Sequence, residues 1–411
     1  MEPSWTEYEP HAIASEIMYD YNPSEDEDAN LLSDEDHEEN NNVCINCILP
    51  DDLVAHVLAL LPVADIVTAG CVCKKWYELV HSWEFLKVAS VVKSPKSWYF
   101  IFTYFDKPFG HIYDPDCEKW QRFELPYVEI TTYPIASFSG LLCFTPSHSI
   151  RDLHVCNPIT KKYRKLEDPR GSDCPDYSAL AISVSRVSHS YTVAMVRSTK
   201  DRTEGMVWDV EIDVFSSEKL AWEPSLKLVA QEWRGGCDSA ICDGVLYFAV
   251  YTWRPVPIAH GQSGLLAYRL GSQSLACDMR EDFIPAPFRL SCMRLISLKD
   301  ELVMVGAIEI AGRGGMIEGV GVWVLRRRQW VEISRMPGRF LRRFRPYEDL
   351  FHSSGFGELI YIQGYDSRRL LVFNVETKQW KWSRSFPANR RKCPLEVYGG
   401  TCFEPRLDIA P

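Results

Sequence analysis

Among the 411 residues, fourteen cysteines, ten histidines and a run of closely spaced arginines have the most chemistry to offer. Cys44 and Cys47 form a C-x-x-C pair and Cys71 and Cys73 a C-x-C pair, and four thiolates are a suitable ligand set for zinc. Two features argue against a metal: no histidine sits at finger spacing, and the second pair falls inside a stretch of helical periodicity. The histidines do not cluster with carboxylates, and the patterns G-x-S-x-G, H-E-x-x-H and G-x-x-x-x-G-K do not occur. "GRGGMIEGVG" (312–321) is glycine-rich but does not open a helix, so it reads as a loop between strands. No catalytic residue, metal or cofactor is expected.

The arginines offer recognition. In "RMPGRFLRRFRPYEDLF", Arg335, Arg339, Arg342, Arg343 and Arg345 interleave with Phe340, Phe344 and Tyr347, and "VAQEWRGGCDS" contains Trp233 and Arg234. A guanidinium carries its donors in a fixed fork, and an aromatic ring buries area with little loss of rotamer freedom. Both types therefore concentrate at interface hot spots. Such a set suits an acidic or phosphorylated peptide. Three other accounts stay open: solvated arginines on a loop anchored by Phe340 and Phe344, a contact with an acidic tail of the same chain, or nucleic acid. One loop without a basic face elsewhere gives nucleic acid little support.

Charge is unevenly spread along the chain that must position these residues. Residues 1–42 hold fourteen carboxylates and no lysine or arginine, leaving 42 acidic against 45 basic residues in the rest, near +3. Residues 1–43 cannot bury enough apolar surface to repay the entropy of ordering and are expected to form a disordered acidic tail. No apolar run reaches 18 residues, and the acidic start contradicts a signal or transit peptide, so no membrane partner is expected. The cysteines lack a disulfide-scaffold rhythm and read as free thiols in a reducing compartment, the cytosol or the nucleus.

Residues 44–91 read as a small helical module. Pro50 and Asp51 mark a helix start, with the aspartate able to accept backbone N–H groups. Leu53, Val54, Val57, Leu58 and Leu61 recur at helical spacing until Pro62 stops the helix. A second helical stretch runs from Ile66 to Val80, and Trp83, Phe85 and Leu86 lie in a further turn. Helices this short are marginal alone, so their many apolar positions call for a covering surface, either a partner or the rest of the chain. The block resembles an F-box: Leu49-Pro50, Leu53 and Val57, Leu61-Pro62, and Val72-Cys73-Lys74-Lys75-Trp76 follow that family's pattern over about forty residues. The resemblance implies a Skp-type adaptor as partner, a cullin and a RING subunit reached through it, and an adaptor-binding surface formed or supported by Leu49, Pro50, Leu53, Val57, Pro62, Val72 and Trp76.

Residues 92–411 read as strands in six imperfect repeats. "SWYFIFTYF", "GLLCFTP", "SYTVAMV", "GVLYFAV", "ELVMVGAI" and "ELIYIQGY" are one recurrent type, each followed by a hairpin such as "HIYDPDCEKW" or "LVFNVETKQW". Trp120, Tyr163, Trp222, Trp330 and Trp380 hold equivalent places in five copies and are expected in the core between repeats. A period near fifty residues with about four strands each predicts an all-β, six-bladed propeller. The first repeat lacks an innermost strand, and "TCFEPRL" at the carboxyl end has no repeat to follow it, so the end strand is expected to close the ring.

This part resembles plant F-box proteins with kelch-type propellers, in a degenerate form: only Gly399-Gly400 keeps a kelch-like double glycine. Longer stretches, among them "WYFIFTYFDKPFGHIYDPDCEKW" and "CFEPRLDIAP", carry the likeness from about Ile48 to Pro411. It implies a non-catalytic receptor subunit of a Skp-cullin-F-box ubiquitin ligase that recruits an unidentified protein substrate. The alternative is a propeller that binds the adaptor without delivering a substrate. On that fold Trp233, Arg234, Trp253, Arg339, Arg342, Arg343, Arg345 and Tyr347 are the expected substrate-binding residues, on loops at one rim.

Overall fold

Prolines and a cysteine punctuate the helical end of the computed structural model. The structure describes residues 49–92, 97–103, 109–124, 135–145, 152–167, 175–185, 187–201, 207–224, 226–231, 233–252, 263–272, 283–310, 316–344, 351–364, 367, 369–386 and 397–411, so the acidic tail lies outside them. The chain divides into two units, Met1–Ser94 and Pro95–Pro411. In the first, α1 (Asp51–Ala59) follows Pro50, whose carbonyl accepts from the Leu53 and Val54 N–H groups at 3.0 and 3.1 Å. Likewise α2 (Val63–Gly70) follows Pro62, whose carbonyl takes the Asp65 and Ile66 N–H groups. A proline lacks its own N–H and is tolerated at a helix start but not inside one.

Two local expectations are corrected here. The stretch from Ile66 to Val80 is two helices, because Cys73 leaves helical geometry (φ −157°, ψ 161°) and caps α3 (Lys74–Val80), its Sγ accepting from the Trp76 N–H at 3.5 Å. Cys71 and Cys73 therefore flank a helix junction. Asp51 makes no capping bond; its carboxylate pairs with Lys75 Nζ at 2.6 Å and ties α1 to α3. Ser82 Oγ then caps α4 (Trp83–Val92) through the Phe85 N–H. Val54, Leu58, Ala59, Ile66, Val80 and Phe85 are buried.

In the second unit β1 (Trp98–Thr103), β2 (Phe109–Asp114) and β3 (Lys119–Glu124) form most of one sheet. A second sheet runs β4 (Ile135–Phe138), β5 (Leu141–Phe144), β6 (Asp152–Asn157), β7 (Lys162–Glu167). The third contains β8 (Tyr177–Val184), β9 (Tyr191–Lys200) and β10 (Val207–Ser216), with β11 (Ala221–Trp222) and β12 (Leu226–Gln231) both pairing to β10. The fourth is β13 (Trp233–Cys242), β14 (Val245–Thr252), β15 (Ser263–Arg269), β16 (Phe283–Pro285), and the fifth is β17 (Leu290–Leu298), β18 (Glu301–Glu309), β19 (Ile317–Arg326), β20 (Gln329–Arg335). After α5 (Gly338–Phe344), the sixth runs β21 (Phe351–Phe356), β22 (Leu359–Gly364), β23 (Leu371–Asn374), β24 (Trp380–Trp382). The last strand, β25 (Val397–Phe403), lies antiparallel to β1, with Tyr99 opposite Cys402 and Phe100 opposite Thr401. The inner strands β25, β4, β8, β13, β17 and β21 touch in that cyclic order. This is a six-bladed all-β propeller.

Its core is not one mass but a set of clusters between neighbouring blades, as when Val305 and Val322 of the fifth pack with Ile360 and Phe373 of the sixth. The turns before the outer strands of the first, second and sixth blades share one construction. Asp114 Oδ1 accepts from the Asp116 N–H, Asn157 Oδ1 from those of Ile159 and Thr160, and Asn374 Oδ1 from those of Glu376 and Thr377. Four residues after each Asx comes a left-handed residue, Glu118, Lys161 or Lys378, and two further on the recurrent aromatic. The tryptophans do more than fill space. The indole N–H of Trp120 donates to Arg384 O, Trp222 to Glu167 O, Trp330 to Pro285 O and Trp380 to Ser334 Oγ, at 2.8–3.1 Å, each reaching the neighbouring blade. Tyr163 departs from the expectation: it is 43% exposed and stacks on His154 of its own blade.

Candidate interaction sites

The apolar side chains of α1 divide between two faces. Val54, Ala55, Leu58 and Ala59 point into the helical unit, whereas Leu53, Val57 and Leu60 are 48, 55 and 63% exposed. Three such residues at spacings of four and three make a continuous outward stripe on one helix. The sequence reading placed Leu53, Val54, Val57, Leu58 and Leu61 on one face. The helix instead splits them, because periodicity cannot choose between two apolar sides. Around the stripe, Leu49, Val72, Tyr77 and Trp83 are exposed. Pro50 and Pro62 are exposed at the helix starts, and Trp76 is half-buried. Leu60, Tyr77 and Trp83 were not among the residues expected on this surface; seven residues separate Leu60 from Leu53, which is the signal that finds it.

On the propeller, inner strands start and outer strands end at the same rim, here called upper. It carries α5. Phe340 and Phe344, four apart, are buried in the core between the fifth and sixth blades. Arg339, Arg342 and Arg343 lie on the other side at i, i+3 and i+4, all exposed. Arg342 and Arg343 form no ion pair among the described residues, and Arg339 lies 4.9 Å from the Phe340 ring centre. Trp233 and Arg234 open β13 at the same rim. Trp233 is half-buried, its ring 4.5 Å from that of Phe283, so much of its area is already committed within the fourth blade. Arg234 is half-buried over Tyr177 at 4.2 Å and Tyr251 at 4.7 Å. Trp253, Arg345 and Tyr347 lie outside the described residues.

The inner strands enclose a channel of about 140 Å³ lined by residues of all six blades, among them Asp238, Arg294, His352 and Thr401. Sequence reasoning missed this set, whose successive members lie 49 to 58 residues apart. Arg294 Nη1 donates to Asp238 Oδ2 at 3.2 Å and its Nε to Phe351 O at 2.7 Å, while Asp238 Oδ1 accepts the Leu295 N–H at 2.7 Å. One ion pair thus ties three adjacent blades. Burial pushes the Asp238 carboxyl up, with Arg294 opposing. Burial works against the Arg294 charge, but Cys292, Asp238 and Tyr251 outweigh it and leave its pKa raised. Burial, aided by Arg294, lowers the His352 imidazole to about 4. Cys237 is raised by burial, against the pull of Arg294 and Arg234.

The described channel residues hold two acids, Asp238 paired with Arg294 and the buried Glu404, and an imidazole that is neutral near pH 7. They include no nucleophile activated by a base. The F-box domain family matches residues 47–88. An F-box/kelch-repeat protein of Arabidopsis thaliana is 39% identical across 100% of this chain and 99% of its own length. The chain belongs to the F-box/kelch-repeat family. More distant relatives from the same plant include Protein UNUSUAL FLORAL ORGANS, 24% identical over 86% of this chain and 80% of its own, and SKP1-interacting partner 15, 27% identical over 35% and 43%. In this F-box/kelch-repeat chain the matched F-box segment coincides with α1 to α4 and their exposed apolar stripe.

Proposed function

We propose that this chain is the substrate-recognition subunit of a Skp-cullin-F-box ubiquitin ligase, acting in the cytosol or nucleus. Its F-box docks on a Skp-type adaptor, which links it to cullin and RING subunits, and its propeller recruits a protein for ubiquitination. The observation that carries this reading is the exposed row Leu53, Val57 and Leu60 inside the segment matched as an F-box. Large side chains left in water on a three-turn helix become stabilising only when a partner covers them, about 1.5–3 kcal/mol each at full burial. The relative named as a SKP1-interacting partner supports the identity of that partner. The chain itself acts without catalysis: a receptor of this kind positions a substrate near a charged conjugating enzyme.

For the substrate, the upper rim is the favoured surface. Arg339, Arg342 and Arg343 present unpaired donors on one helix face, Arg234 adds another, and Trp233, Trp253, Arg345 and Tyr347 complete the expected set. Proximity labelling under proteasome inhibition tests it, with wild type against Arg339→Ala, Arg342→Ala, Arg343→Ala and adaptor binding measured in parallel. Loss of one or more ubiquitinated proteins with adaptor binding intact is the expected result. Identical captured sets would move the receptor surface to the other rim.

A further inference from the structure

Arg234 stands out because its charge has no counter-charge among the described residues. Its neighbour Asp238 is fully engaged, one oxygen with Arg294 and the other with the Leu295 N–H. Among the described residues Arg234 has no carboxylate or carbonyl partner, only the Tyr177 and Tyr251 rings. The two rings come from different places: Tyr251 is its cross-strand partner on β14, and Tyr177 begins the inner strand of the preceding blade. Ring faces hold a guanidinium in place and restrict its rotamers, yet they leave the in-plane N–H donors unfilled. A half-buried cation with free donors is costly to keep unless something fills them.

The surroundings specify what that is. The Arg234 and Arg294 charges both reach the Cys237 thiol and the Tyr251 hydroxyl, so the two guanidinium groups act on the same small region where β13 enters the channel. Asp238 answers the Arg294 charge, and Arg234 has no such counter-charge among the described residues. We propose that Arg234, held over Tyr177 and Tyr251, is an anion-binding socket that takes the phosphate or carboxylate group of a side chain on the recruited protein. The socket rests on the substrate-receptor reading and gives it a chemical class: a substrate with an acidic or phosphorylated residue docking at the start of β13.

The test uses the full chain bound to its adaptor, with inorganic phosphate and acetate as probes at constant ionic strength. Phosphorus line broadening and the melting temperature of the propeller are read together. Wild type should bind phosphate, Arg234→Gln should lose at least tenfold in affinity, and Arg234→Lys should also bind less tightly, since it keeps charge but not the planar fork. Lys119→Ala with Lys162→Ala, two exposed basic residues outside the proposed receptor surface, should respond like wild type, which separates the socket from general basicity of the propeller. The lysine variant keeps the test alive if the glutamine variant does not fold. No response in wild type, or an equal response in Arg234→Gln, overturns the socket. If phosphate binding is lost in Arg234→Gln while the same ubiquitinated proteins are captured, the socket serves a free small anion and its assignment to substrate is overturned, with the receptor reading intact.

Discussion

Asn157 has no exposed surface, and its two polar atoms serve different parts of the chain. Oδ1 organises the turn by accepting from Ile159 and Thr160, whereas Nδ2 donates to the carbonyls of Arg406 and Ile409 in the carboxyl-terminal segment at 2.9 and 2.7 Å. Asn157→Asp keeps the first function and sets a carboxylate against two carbonyls. It should cost about 3 kcal/mol or more, against about 1–3 kcal/mol for Asn157→Ala, in chemical denaturation. The reverse order would show that the turn, not the tether, matters. His352 makes a second prediction. With its folded pKa near 4 and an unfolded value near 6.5, the unfolded chain binds more protons between those limits. Its contribution is therefore complete above pH 6.5 and lost as pH falls toward 4, roughly 2 kcal/mol by pH 5. Asp238, raised by burial, works in the opposite sense, so the comparison is wild type against His352→Gln. The variant should lose less stability between pH 7 and 5; parallel curves would count against a buried neutral imidazole.

Strands in a propeller are held at both edges of each blade, and the two edges use different devices. At the outer edge the indole bonds of Trp120, Trp222 and Trp330 each end on a backbone carbonyl of the neighbouring blade. Replacing each by phenylalanine removes the donor, and each should cost about 1 kcal/mol plus lost packing, nearly additive because the sites are far apart. A triple variant with an unchanged melting temperature would make these bonds incidental. At the inner edge β25 supplies what the first blade lacks. Gly400 is needed there because a Cβ would sit 2.5 Å from the Tyr99 ring and 2.6 Å from Gln363 Oε1, two groups already bonded to each other at 3.1 Å. Deleting residues 397–411 uncovers Tyr99 and Ile101 and leaves β1 as an open edge. Loss of cooperative melting is expected. Deleting only 406–411 removes the Arg406–Asp408 pair, its bond to Ser139 and the buried Ile409, and should lower the melting temperature without abolishing the transition.

The two units have separate cores, so their functions should be separable. Leu53→Asp, Val57→Asp and Leu60→Asp alter side chains that the helical unit does not bury. Together they should weaken adaptor binding at least 100-fold, about 3 kcal/mol, in a pull-down with purified Skp-type adaptor. The propeller's melting temperature should not change. Retained adaptor binding would require a different docking face, and a shifted propeller transition would mean that the units stabilise one another.

What local chemistry encodes was visible in the residues alone. Alternation with a period near two and helical spacing near 3.6 separate the strands from the short helices. Prolines mark where α1 and α2 begin, and Asx residues mark the turns before the outer strands in the first, second and sixth blades. The arginine-aromatic run was visible too, but it was read as a loop, and the structure instead forms α5, whose turn buries Phe340 and Phe344 and leaves Arg339, Arg342 and Arg343 exposed. The sequence could not say that α1 turns Leu53 and Val57 outward, since both sides are apolar and only the packing of Val54 and Leu58 decides between them. Nor could it show that Trp233 is spent on Phe283, that Arg234 lies over two tyrosines, or that Asp238 and Arg294 meet across fifty-six positions. Those outcomes depend on which blades become neighbours when the ring closes. A residue's periodicity records the face it occupies, but its partner, its burial and therefore its charge state are properties of the assembled ring.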